Sequence, residues 1–233
     1  MRLNKFISSC GIASRRAADT LIAEGRVMVN NEVVRELGSQ VSPSDTVLVD
    51  GKLAHLPQKT TILLFHKPPG CVCSASDPQG RKTVYDYLPP GYKGLKYIGR
   101  LDLQSRGLLL FTDNGELAHR LTHPSYQIQR SYLVWSEPPL SKADAEKIID
   151  GVDIGDGETG HAEAIYLKNG FVEMVLTEGK NREIRRMMES LGYQIKDLKR
   201  ISFCGILLGS TPVCDFRELS AEEVQNILKV CEL

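Results

Sequence analysis

No stretch of this 233-residue sequence reaches the roughly 18 consecutive apolar residues that a membrane-spanning helix needs. The first residues, Met1-Arg2-Leu3-Asn4-Lys5-Phe6, lack the long apolar core of a signal peptide. Both absences lead us to expect no membrane partner and a cytoplasmic address. The six cysteines form no CxxC pair, and Cys71-Val72-Cys73 has no companion His or Cys cluster at zinc spacing. Free thiols are therefore expected, and no metal site. Glycine-rich fingerprints for dinucleotides or nucleoside triphosphates are missing too, as are internal repeats and low-complexity segments. Formal net charge is zero, so bulk electrostatics name no partner. What is present, 42% hydrophobic and 25% charged residues, is the composition of a globular protein with one sizeable domain or a small module plus a larger one.

The charge that does exist is clustered. Residues 180–200 hold seven Lys or Arg against three acids. A local patch of this kind attracts phosphates, although a solvated helix face has the same composition.

Residues 1–58 read as a separate module. Ser14 is placed to cap a helix from about Arg15 to Glu24, with Gly25 as its stop, and Ala13, Ala17, Leu21 and Ile22 fall on one face. Arg26 to Val29, a turn at Asn30-Asn31, and Glu32 to Val34 read as a hairpin. Thr46 to Gly51 adds a further strand and turn, and His55 to Lys59 reads as a linker. Arg15 and Arg16 occupy a first helical turn, where the helix dipole favours acids. The same helix end offers backbone N–H groups to a phosphate.

From Thr60 the pattern changes. Strand candidates lie at residues 60–66, 107–111, 131–135, 162–167 and 171–176, and helices near 115–121, 141–149, 182–191 and 221–228. Ser220 and Glu223 are spaced as a capping box, and 155–160 as a turn between strands. Strands and helices do not alternate regularly. This favours an α+β class over a doubly wound one, with a mostly antiparallel mixed sheet flanked by helices.

The candidate chemistry centres on Asp102, between Arg100 and the apolar run from Gly107 to Phe111. A carboxylate in a buried place is costly unless it is paired or used. The segment Glu178 to Met187 supplies cations. Asn181 is placed to cap its helix, Ile184, Met187, Met188 and Leu191 give an inward face, and Arg185 borders that face. Arg182 or Arg186 then faces outward, unless these arginines simply pair with Glu178, Glu183 and Glu189. In the strand around Ser131, Arg130 and Tyr132 share a face. A tyrosine beside a cation can stack on a base, but it also suits an ordinary sheet position.

Three motifs in order, Gly99-Arg100-Leu101-Asp102, Arg130-Ser131-Tyr132 and Glu178 to Arg186, resemble those of the RsuA-type ribosomal RNA pseudouridine synthases. Residues 2–6, 13–17 and 25–30 resemble an S4 RNA-binding domain. The resemblance implies an S4-like module over 1–58 and a pseudouridine synthase domain over 59–233, acting without a cofactor on ribosomal RNA or a ribosomal precursor particle. The chain is expected to be monomeric. Asp102, Tyr132 and Arg185 are implied as the catalytic site, with Tyr132 stacking on the flipped base and Arg185 holding Asp102 ionised. Attack on the sugar, addition to the base and removal of a sugar proton by Asp102 stay open. Arg2, Lys5, Arg15, Arg16, Arg26, Arg100, Lys180, Arg182 and Arg186 are the expected RNA contacts.

Two positions depart from the family pattern: Ser105 replaces a common Thr and Glu183 a common Gln. The rival readings are a non-catalytic RNA-binding assembly factor, a zinc deaminase and a metal-dependent nuclease. For the deaminase, His161-Ala162-Glu163 fits but the downstream P-C-x-x-C is missing. For the nuclease, the motif regions show no clustered carboxylates.

Overall fold

The computed structural model describes residues 1–57 and 59–233. The module boundary expected at residue 58 falls on Gln58, outside the described residues. The chain forms two compact units, Met1–Thr61 with Asp113–Gly115, and Ile62–Thr112 with Glu116–Leu233.

The first unit has helices α1 (Leu3–Ser9) and α2 (Arg15–Ala23) and strands β1 (Val27–Val29), β2 (Glu32–Val33), β3 (Val47–Val49) and β4 (Lys52–Leu53). The strands form a sheet in the order β2-β1-β3-β4. Ser14 caps α2 by accepting the Ala17 N–H at 3.2 Å. The buried face of α2 is Ala18 and Ile22, not the expected Ala17, which is exposed; Ala13 and Leu21 only flank the core. Both hairpin turns use residues that tolerate positive φ, Asn30 and Asn31 (51° and 69°) and Asp50 and Gly51 (49° and 73°). This is the two-residue turn whose twist matches paired strands.

The second unit contains strands β5 (Ile62–Lys67), β6 (Lys96–Ile98), β7 (Arg106–Thr112), β8 (Arg130–Glu137), β9 (Val152–Asp153), β10 (Thr159–Gly160), β11 (Ala164–Lys168), β12 (Phe171–Leu176), β13 (Gln194–Phe203), β14 (Ile206–Leu207) and β15 (Phe216–Glu218). Its helices are α3 (Gly115–Thr122), α4 (Lys142–Asp150), α5 (Glu183–Ser190) and α6 (Ala221–Val230). The main sheet runs β11-β12-β8-β13-β7-β5-β15, with β14 beside β13 and β6 beside β7. Every described pairing in it is antiparallel except β13 with β7.

Burial explains the apolar runs. Along β5 and β7, Leu64, Leu108 and Leu110 enter a core with α3 and α6, while Leu63, Phe65, Leu109 and Phe111 enter another on the opposite face. Both faces are covered, so the strands read as continuous apolar runs. A third core joins β8, β12 and α5 through Val134, Leu176, Ile184 and Met187.

The β7–β13 seam is short, pairing Lys199 with Arg106 and Arg200 with Gly107. At Gly107, with φ +110°, a Cβ would lie 2.2 Å from the Arg200 carbonyl oxygen. Glycine alone allows this approach. A cleft lined in part by Ser105 and Arg200 lies beside this seam.

Candidate active site

The loop joining β6 to β7 carries Arg100, Leu101, Asp102 and Ser105. Leu101 and Ser105 are buried, while the Asp102 side chain keeps 31% of its surface exposed. The carboxylate is therefore open to the cleft. A turn closes beneath it, with Ser105 N–H donating to the Asp102 carbonyl at 3.1 Å.

Lys67, at the end of β5 and fully buried, ties this loop down. Its Nζ donates to the carbonyls of Ser105 (2.8 Å), Pro68 (3.0 Å), Asp102 (3.1 Å) and Leu103 (3.4 Å). A buried ammonium holding backbone oxygens rigidifies the loop, and burial pushes its pKa down from the usual lysine range.

Arg185 reaches in from α5. Its Nε lies 3.5 Å from Asp102 Oδ2, and its Nη2 donates to Ser105 Oγ at 3.1 Å. One guanidinium thus spans both side chains of the loop. Helix α5 starts at Glu183, and the N-cap is Arg182 in the left-handed region (φ 51°), not Asn181. Tyr132 on β8 lies between Met174 of β12 and Arg200 of β13 and lines the same cleft.

Two further arginines reinforce the walls. Arg130 is buried and donates to the carbonyls of Leu121, Thr177, Ile128 and Glu178, joining the end of α3 to the segment before α5. Burial lowers its pKa. Arg200 donates to the Leu108 carbonyl at 2.7 Å, and its Nη2 has no partner. All three buried cations bind neutral oxygens, so their positive charge adds to the field in the cleft. In the sequence, Lys67 carries no signal of this role, Arg200 belongs only to the basic stretch 180–200, and Arg130 to the Arg130-Ser131-Tyr132 motif.

The cleft has a volume of about 800 Å³ and is bounded by Asp102, Tyr132, Arg185, Arg100, Arg130 and Arg200 among others. That is space for a nucleoside extruded from its stack. Glu183 turns inward at the first turn of α5. Its Oε2 accepts the Lys180 N–H at 3.0 Å, its Oε1 is buried without a hydrogen-bond partner, and burial raises its pKa.

The other expected RNA contacts divide. Arg100 is exposed on the cleft rim. Lys180 is paired with Glu178 and the Thr159 carbonyl, and Arg182 with Glu189. Arg186 is folded against Glu158, Asp156 and the carbonyls of Ile154 and Gly155, so it does not face outward. In the first unit Arg2, Arg15 and Arg16 are exposed and Lys5 is half-buried. Arg26 forms a two-point ion pair with Asp50 at 2.7 Å.

Comparison with known proteins decides the family. The RNA pseudouridylate synthase family matches residues 61–190, and the S4 domain matches residues 1–47. Ribosomal large subunit pseudouridine synthase B of Bacillus subtilis (strain 168) is 37% identical over 97% of this chain and 95% of its own length. The chain belongs to the RNA pseudouridylate synthase family. A Pseudomonas aeruginosa pseudouridine synthase of the same name is 37% identical over 96% of the chain, which spans 60% of that longer relative. A solved structure described as a pseudouridylate synthase shares 28% identity and a TM-score of 0.71, covering 97% of this chain and 99% of that one. The pseudouridylate synthase match includes both the Asp102 loop and the Arg185 helix.

Proposed function

We propose that this synthase isomerises a uridine of large-subunit ribosomal RNA to pseudouridine, with Asp102 as the carboxylate that acts on the flipped nucleoside. The observation that carries this reading is one open carboxylate on a tied-down loop, 3.5 Å from a guanidinium, in a nucleoside-sized cleft. In the reaction the N1–C1′ bond breaks and a C5–C1′ bond forms within the same nucleotide. C5 loses its hydrogen and N1 gains one, so no external atom donor or redox cofactor is required.

Asp102 acts on the bound nucleoside, Tyr132 stacks on its base, and Arg185 positions Asp102. Arg100 at the rim contacts the RNA backbone or fills the space the base vacates. Exposed Arg15 and Arg16 on α2 grip phosphates, and the S4 match supports that role.

In this reading the synthase acts as a monomer, and a ribosomal substrate supports a cytoplasmic location. The test is pseudouridine mapping by carbodiimide treatment and primer extension on ribosomal RNA from cells with and without the gene. Loss of one site, restored by wild type but not by Asp102→Asn, establishes the reaction and its target. Unchanged modification at every site overturns the reading in favour of an RNA-binding assembly factor.

A further inference from the structure

The segment that follows β7 ends beside the cleft in a cluster of rings. On α3, Leu117 and Leu121 are buried, which turns His119 to the outer side, and His123 follows the helix and caps the 3-10 turn Pro124–Tyr126; both histidines are exposed. Their rings stack at 5.1 Å between centroids and 30° between planes. Tyr126 stands edge-on to both, at 6.4 Å and 6.3 Å. Between and beside these rings, Thr122 and Pro124 line the cleft itself.

The cluster is fixed, not loose. His123 Nδ1 accepts the Ser125 N–H at 3.3 Å and lies 2.7 Å from Ser125 Oγ, so the neutral ring carries its proton on Nε2. Arg120 packs over Tyr126 and donates to the carbonyls of Cys231 and Glu232. Arg130 holds the Leu121 carbonyl at 3.0 Å. The aromatic groups found in the cores of this unit, such as Phe65 and Phe111, are fully buried, whereas both histidines are exposed.

We propose that His119, His123 and Tyr126 form a stacking platform for the base of a nucleotide adjoining the target uridine. This rests on the function proposed above. An extruded uridine leaves its neighbours unstacked, and a ring cluster on the segment whose Thr122 and Pro124 line the cleft replaces the lost stacking. An imidazole face accepts any base, while the Nε2–H of His123 offers one donor toward a base edge or phosphate. The occupant is a single-stranded RNA nucleotide, and the platform contributes to binding and not to the chemical step.

The test uses an RNA stem-loop containing the uridine identified by mapping, with 2-aminopurine placed in turn on its 5′ and 3′ sides. Binding, steady-state and single-turnover kinetics are measured for wild type, the His119→Ala/His123→Ala double variant and the His119→Phe/His123→Phe double variant. All the substitutions are at exposed positions, and thermal melting checks the fold. The alanine variant is expected to raise Kd and KM about tenfold and to abolish the change in 2-aminopurine fluorescence at one position, with single-turnover rates at saturation within about twofold. The phenylalanine variant is expected to restore most of the affinity. Unchanged Kd and fluorescence in the alanine variant of an active enzyme overturn the platform alone. A wild-type enzyme that forms no pseudouridine in any ribosomal RNA overturns the function and the platform together.

Discussion

Arg185 bridges Asp102 and Ser105, with Nε 3.5 Å from the carboxylate and Nη2 donating to the hydroxyl at 3.1 Å. A planar guanidinium can hold two partners in fixed relation, whereas an ammonium cannot reproduce that fork. Arg185→Lys is therefore expected to lower kcat about 10- to 100-fold with little change in KM, since charge is kept and orientation is lost. Asp102→Asn removes the acting group and is expected to lower kcat by at least about 10³-fold while RNA affinity is retained. Single-turnover assays beside filter binding separate the two effects.

Gly107 is expected to be intolerant of any side chain. The nearest atom to an added Cβ is backbone, the Arg200 carbonyl oxygen at 2.2 Å, so no rotamer change relieves the clash. The positive φ of 110° adds strain for an L-residue. Gly107→Ala should cost about 3–5 kcal/mol in urea unfolding. It should also impair turnover in whatever fraction stays folded, because Arg200 lines the cleft.

Glu183 makes stability depend on pH in a direction opposite to most carboxylates. Burial raises its folded pKa above the ordinary glutamate value, so the folded chain keeps a proton that the unfolded chain releases. Between those two values stability falls as pH rises, and above the folded value the deficit is constant. Glu183→Gln keeps an acceptor for the Lys180 N–H and removes the buried charge. The variant should match wild type near pH 4 and exceed it by on the order of 1 kcal/mol at pH 8. Urea melts of both proteins across that range give the difference curve, in which the other titrating groups cancel.

Local signals and long-range ones were unequally legible in the sequence. The Asp102 loop, the Arg185 helix, the Asn30-Asn31 turn and the Ser14 and Ser220 caps depend on neighbours in sequence, and the structure has them. Strand β13 carries no strand signal in the sequence. Its register shifts between Ile195 and Asp197 and between Arg200 and Ser202, which breaks the alternation that would have marked it. The α1 helix escaped because its seven residues carry few periodic positions. Lys67 and Arg200 escaped for another reason. Their partners are backbone carbonyls, chiefly of residues distant in sequence, and a carbonyl has no sequence signature. The inward turn of Glu183 likewise follows from the left-handed Arg182, which a scan for capping side chains does not find.

Arg15 and Arg16 differ from Arg26 in what they are free to bind. The first turn of α2 contains no acid, and Ser14 already accepts the Ala17 N–H, so both arginines stand exposed at the positive end of a helix dipole. That arrangement is mildly unfavourable for the isolated helix and favourable once a phosphate arrives. Arg26, in contrast, gives Nε and Nη2 to Asp50 and Nη1 to Glu24, and neutralising a phosphate would compete with those pairs. Each phosphate neutralised releases counterions and steepens the dependence of affinity on salt. Arg15→Ala/Arg16→Ala is therefore expected to weaken RNA binding and to reduce the slope of log K against log salt by about 1 to 2. Arg26→Ala should move that slope by less than about half as much. The measurement is a fluorescence anisotropy titration of the same RNA at several potassium chloride concentrations. Equal slopes for wild type and the Arg15/Arg16 variant would place the phosphate grip elsewhere on the chain, and a larger effect from Arg26 would mean that its ion pair opens on binding.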